Sequence, residues 1–244
     1  MISKNQLKLV RSLEQKKYRQ REGLFVAEGP KVVGDLLKAG FKAHVIFSTA
    51  ERPDAQLVTD DELRRLSFLQ HPQQMLAVMH IPQRPLTAPD SLGQALCLAL
   101  DGIQDPGNLG TIIRIADWFG IAAIYCSPDT ADAYNPKVVQ ATMGSLAHVP
   151  VIYTDLVSLL RDTNVPVYGT LLDGANLYEE PLTASGIIVM GNEGNGISQP
   201  VRQLISHRLL IPNYHAAGGA TAESLNVAIA TAVTCAEFRR RSGN

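Results

Sequence analysis

The sequence is poor in cysteine, with only Cys97, Cys126 and Cys235, far apart and in apolar settings such as "ALCLAL" and "IAAIYC". An odd, scattered set of this kind argues against a disulfide framework or a zinc site and is expected as reduced core residues. The six histidines (44, 71, 80, 148, 207 and 215) lack metal-ligand spacing, so no metal is expected. There is no G-x-S-x-G nucleophile elbow, no G-x-G-x-x-G dinucleotide fingerprint and no glycine loop closing on Lys-Ser or Lys-Thr. These absences count against a serine hydrolase, a nicotinamide-dependent oxidoreductase and a phosphate-loop enzyme. No apolar run approaches a membrane span, and Met1 to Gln20 lacks the apolar centre of a signal peptide. The expectation is a cytoplasmic protein with no membrane partner.

What is present is a chain of 244 residues, 45% hydrophobic, enough for one large or two small domains. The net charge of −1 conceals an asymmetry: residues 1–85 hold 14 Lys and Arg against 9 Asp and Glu, and residues 86–244 hold 8 against 14. The basic charge is densest in "KNQLKLVRSLEQKKYRQREG", which suits a polyanion such as RNA, because basic side chains that displace counterions from phosphates supply most non-specific affinity. Lys4, Lys16, Lys17, Arg19 and Arg21 are the candidate phosphate contacts. A solvated helix with ordinary surface charge is the competing reading.

Strand and helix patterns alternate along the chain. "LFVAEGPKVVGDLLKAG" reads as a strand and a helix with apolar Val32, Val33, Leu36 and Leu37, "HVIFST" as a strand, "TDDELRRLSFL" as a helix capped by Thr59, and "QMLAVMHI" as a strand. This predicts a small α/β domain over 1–82. Three prolines without periodicity mark a linker over 83–94. A second α/β series over 95–244 opens with "ALCLAL", whose unbroken apolar character suits a parallel strand covered on both faces. Helices are predicted in "TIIRIADWFG" and "PKVVQATMGSLA" and from about Glu223 to Arg241, and strands in "AAIYC", "VPVYGTLL", "GIIVMG" and "RLLIP".

Ligands of open α/β sheets bind at the carboxyl ends of strands. Three loops of the second domain stand out there: "NLGTIIR" (Asn108 to Arg114), "GNEGNG" (Gly191 to Gly196), and "IP" (Ile211, Pro212) followed by "ESLNVA" (Glu223 to Ala228). Asn108 is a candidate cap for the helix it opens, and Arg114 falls outside the apolar stripe Ile112, Ile115, Ala116 and Phe119. The glycines Gly191, Gly194 and Gly196 let a ligand approach the main chain, although their order matches no phosphate cradle.

Together the three loops resemble the N-x-G-x-x-x-R, G-x-E-x-x-G and I-P … S-L-N-V motifs of the SpoU (TrmH-like) RNA ribose 2′-O-methyltransferases of the SPOUT superfamily. The resemblance covers residues 95–241, and the first domain is similar to the family's substrate-binding domain, including its F-x-x-E-G at Phe25 to Gly29. It implies a SPOUT-type parallel sheet with a trefoil knot, a small N-terminal α/β RNA-binding domain, S-adenosylmethionine as methyl donor, and an active site at a homodimer interface. It implies cofactor contacts from Leu171, Gly191, Asn192, Gly194, Gly196, Ile211 and Leu225. Glu193 would orient the loops, and Asn108, Arg114, Ser224 and Asn226 would serve the reaction. Arg114 takes either the role of base or that of a charged group holding phosphate and developing alkoxide. The implied substrate is structured RNA, ribosomal or alternatively transfer RNA, and an inactive RNA-binding protein of the same fold is the other alternative. One departure is a longer third motif: "IPNYHAAGGATAESLN" holds additional small residues, including Gly218 and Gly219, with Tyr214 and His215 at its start.

Overall fold

Ser3 starts the first helix, α1 (Lys4–Ser12), by a reciprocal cap: its hydroxyl accepts from Gln6 N at 3.1 Å while Gln6 Oε1 accepts from Ser3 N at 2.8 Å. A second short helix, α2 (Lys16–Glu22), ends at Gly23, whose φ of 63° favours glycine. The strand β1 (Leu24–Glu28) leads into α3 (Pro30–Lys38), which buries Val32, Val33 and Leu36 as their spacing predicts. Beyond β2 (Ala43–Ser48) and a short β3 (Gln56–Leu57), Thr59 and Glu62 cap α4 (Asp60–Leu66), and β4 (Met75–His80) follows. The four strands form one sheet in the order β1-β4-β2-β3, with β4 antiparallel to both neighbours.

The second series begins with β5 (Leu96–Asp101), buried at every position. Helix α5 (Pro106–Trp118) starts before Thr111, because Asp105 caps it: Asp105 Oδ1 accepts from Asn108 N at 2.7 Å. Asn108 is therefore not the cap, and its side chain is left for other partners. Then come β6 (Ile124–Cys126), α6 (Pro136–Ala141), β7 (Val151–Tyr153), α7 (Leu156–Arg161), β8 (Val167–Asn176), β9 (Gly186–Gly191), α8 (Gln199–Arg202), β10 (His207–Leu210) and α9 (Val227–Arg241). The six strands β5 to β10 form a parallel sheet in the order β10-β8-β9-β5-β6-β7. Helix α9 starts at Val227 and not near Glu223, since Asn226 Oδ1 accepts from Ala228 N and Ile229 N at 3.0 and 3.3 Å. It packs on α5, and Arg239 closes the carboxyl end of α5 by donating to Phe119 O and Gly120 O at 2.7 and 2.6 Å.

The structure is a computed structural model that describes residues 1–83, 86–88, 91, 95–214 and 224–242. It divides into two compact units, Met1–Gln83 with Asp132–His148, and Arg84–Ala131 with Val149–Asn244. The segment Asp132–His148 thus groups with the first unit, although it falls in sequence within the expected 95–244 domain; most of the linker over 83–94 lies outside the described residues. Two contacts within the first unit explain this grouping. The Phe25 and Tyr134 rings meet with centroids 4.9 Å apart. Arg19, only 1% exposed, donates to Asp132 Oδ2 from Nε and Nη2 at 2.8 and 2.6 Å, and to the carbonyls of Leu13 and Glu14 at 2.8 and 2.7 Å. Those bonds remove Arg19 from the candidate phosphate contacts, because a guanidinium so buried and committed has no face left for RNA. The helix predicted across 136–147 is also interrupted, at Met143 (φ 54°) and Gly144 (φ 102°), before a 3-10 turn over Ser145–Ala147.

Candidate active site

Strand β9 ends at Gly191, where a Cβ would stand 2.3 Å from Gly196 C and 2.4 Å from Ile197 N. Only glycine lets the chain double back so closely. Asn192 and Gly196 exchange backbone hydrogen bonds at 2.9 Å in both directions, and Gly196 takes a φ of 66°. The Asn192 side chain fixes the turn from within: Oδ1 accepts from Gly194 N and Asn195 N at 2.9 and 3.0 Å, while Nδ2 donates to Gly102 O at 2.7 Å. Asp101, at the end of β5, accepts from Ser198 N at 2.7 Å. "GNEGNG" is thus a pinned hairpin.

That hairpin presents Glu193 to the start of α5. Asn108 Nδ2 donates to Glu193 Oε1 at 2.7 Å, and Asn108 Oδ1 accepts from Asn226 Nδ2 at 2.9 Å. Asn226 Oδ1 is already occupied by the start of α9, so the amide orientations along Glu193, Asn108 and Asn226 are mutually consistent. One residue from each motif joins this chain.

Beside it lies a cavity of about 570 Å³, bounded by the middle of β8, the ends of β9 and β10 and the start of α9. Leu171, Gly191, Asn192, Gly194, Gly196, Ile211 and Leu225, the seven residues expected at a cofactor, all line it, with Glu193 and Ser224. Thr170, Leu172, Met190, Leu209 and Leu210 line it too, and the sequence motifs do not mark them. For Met190, Leu209 and Leu210 the one signal is position at the carboxyl ends of strands; Thr170 and Leu172, in the middle of β8, carry none. Three residues expected in the reaction are not among the lining. Asn108 and Asn226 reach it through Glu193, whereas Arg114 is exposed, six residues along α5 and about 240° around it from Asn108. Arg114 has no hydrogen-bond or ion-pair partner among the described residues.

In the first unit Lys4, Lys16, Lys17 and Arg21 are exposed. Lys17 and Arg21 lie over the Tyr18 ring, 4.9 and 4.8 Å from its centroid, and Arg21 pairs with Glu22 at 2.7 Å. The three cysteines are buried and free; burial pushes the Cys97 thiol up to about 11 and that of Cys235 to about 12, so neither is a thiolate near neutrality. No group of three or more metal-ligating side chains occurs among the described residues, nor is any helix among them long and apolar enough to cross a membrane. His215, Gly218, Gly219 and Glu223 lie outside the described residues.

Comparison with known proteins agrees with this geometry. Residues 95–236 match the SpoU rRNA Methylase family, and residues 4–77 match the MRM3-like substrate binding domain. The chain is 34% identical, over 97% of both lengths, to the 23S rRNA (guanosine(2553)-2′-O)-methyltransferase RlmP of Bacillus subtilis. Among solved structures it is similar to a putative RNA methyltransferase of the TrmH family from Porphyromonas gingivalis, with 44% identity, 99% of each chain covered and a TM-score of 0.87. It is likewise similar to an AdoMet-bound rRNA methyltransferase from Sinorhizobium meliloti, with 30% identity, 99% and 96% covered and a TM-score of 0.87.

Proposed function

The chain belongs to the SpoU rRNA methylase family, and on that premise we propose that it methylates a ribose 2′-hydroxyl of 23S ribosomal RNA with S-adenosylmethionine as donor. The observation that carries the reading is the single chain of hydrogen bonds joining Glu193, Asn108 and Asn226 at the edge of the cavity.

The residues present fit that cofactor. The cavity has the size of small-molecule sites, roughly 300–1,000 Å³, and its wall combines apolar side chains with main chain that Gly191 leaves uncovered. Leu171, Gly191, Asn192, Gly194, Gly196, Ile211 and Leu225 would hold it. When bound, it supplies an activated methyl group on a sulfonium. The protein then needs to orient the ribose oxygen, accept or pass on its proton, and exclude water. Glu193 and Asn108 fix the glycine hairpin against α5, Asn226 holds Asn108 in turn, and Ser224 lines the cavity. A guanidinium carries its charge throughout the working range of enzymes, which suits Arg114 to gripping a phosphate through paired hydrogen bonds and stabilising the developing alkoxide.

Arg114 lies off its own chain's cavity, which supports a homodimer whose active site is completed by the second copy. Exposed Leu225 and Ile229 on either side of the start of α9, and Trp118 on α5 at 85% exposure, supply apolar surface for such a contact. We also assign to this reading the trefoil knot, a cytoplasmic location and phosphate contacts from Lys4, Lys16, Lys17 and Arg21. Mapping 2′-O-methyl groups in total RNA from cells with and without the protein tests the assignment. Loss of one site in 23S rRNA is expected; a lost site in transfer RNA, or none, overturns it. Trp118 is the sole tryptophan, so a red shift of its emission on dilution, together with light scattering, reports the dimer.

A further inference from the structure

Strand β8 leaves its neighbour abruptly: Gly169 pairs with Arg208, and the next residue of β10, Leu209, pairs with Ala175. The five residues from Thr170 to Gly174 therefore bulge out across one step of β10, and Thr170, Leu171 and Leu172 of this bulge form part of the cavity wall. Three features hold it. At its start, Thr170 Oγ1 donates to Val189 O at 3.3 Å. At its end, Gly174 lies so close to the main chain of Leu209 that a Cβ would come within 2.5 Å of Leu209 C. At its outer part, Asp173 Oδ2 accepts from Arg202 Nη2 at 2.5 Å and from Arg208 Nη1 at 3.4 Å, tying the bulge to both α8 and β10.

We propose that Asp173 is a positioning residue for the cofactor, its ion pairs with Arg202 and Arg208 clasping the bulge of β8 in the shape that binds S-adenosylmethionine. The inference rests on the reading of this cavity as the cofactor site. Leu171 anchors the inner part of the bulge against the hydrophobic core, whereas the outer part, where Leu172 is 77% exposed, has little core to restrain it. Holding it before binding lowers the ordering cost of association, so the benefit shows in affinity and not in global stability. Asp173 is 51% exposed, so the clasp is open to screening by salt.

Calorimetry with S-adenosylmethionine, on the full chain without RNA, tests this. Asp173→Asn is expected to raise Kd about three- to tenfold, the scale of two partly exposed ion pairs, with an unchanged melting temperature, and Asp173→Glu to restore most of the loss. Raising sodium chloride from about 0.1 M to about 1 M shortens the Debye length from about 10 Å to about 3 Å; the wild type should weaken toward the variant, and the variant should hardly move. Equal affinity in Asp173→Asn and wild type, or a loss that follows unfolding in the melt, overturns the clasp while leaving the cofactor assignment intact. A wild-type protein that binds no S-adenosylmethionine overturns both.

Discussion

Asn108 and Glu193 are 85 positions apart in the chain, yet the amide nitrogen of one lies 2.7 Å from a carboxylate oxygen of the other. Because the Asn108 oxygen is engaged by Asn226, a single amide holds three loops in register. Glu193→Ala and Asn108→Ala should each slow methyl transfer in single-turnover assays on ribosomal RNA by on the order of a hundredfold, the effect of a small misplacement of reacting groups. Melting temperatures should move little, since Glu193 is exposed and Asn108 only half-buried. The double variant should be no slower than the worse single one, as for residues acting as a unit; additive losses would mean that the two act separately.

Arg19 belongs to stability. Its guanidinium is buried on Asp132 and on two carbonyls beyond the end of α1. Arg19→Ala would remove a buried guanidinium, leave Asp132, only 13% exposed, without its ion-pair partner, and should cost about 3 kcal/mol in urea unfolding. Lys17→Ala, at an exposed site nearby, should stay within about 0.5 kcal/mol. A similar small cost for both would return Arg19 to the surface set.

The contrast between these two sites shows what was legible in the sequence. Apolar runs such as "LCLALD" and "GIIVMG" specify buried parallel strands, and Thr59 with Glu62 announces a helix start, so most elements can be placed by local chemistry. The glycine hairpin of the cavity wall was legible because Gly191 and Gly196 mark a chain reversal that other residues would strain, whereas most of the lining from β8 and β10 was not. Arg19 was not, since nothing in "KKYRQRE" distinguishes a buried arginine from its exposed neighbours until Asp132 is brought to it across 113 positions. The cap of α5 was misplaced for a simpler reason: Asp105 and Asn108 are both good caps, and only the fold tells which one is used. The bulge of β8 has no local signature, because register is a property of two strands.

Acid stability should depend on Glu237. This carboxylate, 5% exposed on α9, accepts from Arg240 Nε and Nη2, each at 2.8 Å, and from Arg241 Nε at 2.7 Å; the hydrogen bonds from Arg240 and Arg241 hold its pKa at about 2 against an ordinary 4.5. A depressed folded value means that the unfolded chain binds the proton first as pH falls. The stabilisation is complete above about 4.5 and is lost between there and about 2. Glu237→Gln should therefore flatten the fall in melting temperature over that window, while Glu28, whose burial raises its pKa, acts with the opposite sign and loses stabilisation as pH rises. An unchanged acid limb in Glu237→Gln would locate the acid sensitivity elsewhere.

Gripping RNA and reacting with it should fail in different ways. Lys16, Lys17 and Arg21 stand exposed on α2 of the first unit, whereas Arg114 stands exposed on α5 of the second. Replacing the first three with Ala should weaken RNA binding and flatten its salt dependence, by roughly one unit of slope for each phosphate no longer neutralised, while single-turnover methylation at saturating RNA survives. Arg114→Ala should leave S-adenosylmethionine affinity and most RNA affinity in place and slow the chemical step by on the order of a hundredfold or more, as expected when a charge-stabilising group is removed from the transition state. Arg114→Lys keeps the charge but loses the planar fork that pairs with phosphate, so only part of the rate should return. If Arg114→Ala instead reacts at the wild-type rate once RNA is saturating, its role is in binding alone, and the developing alkoxide must be stabilised by Asn108, Ser224 or Asn226.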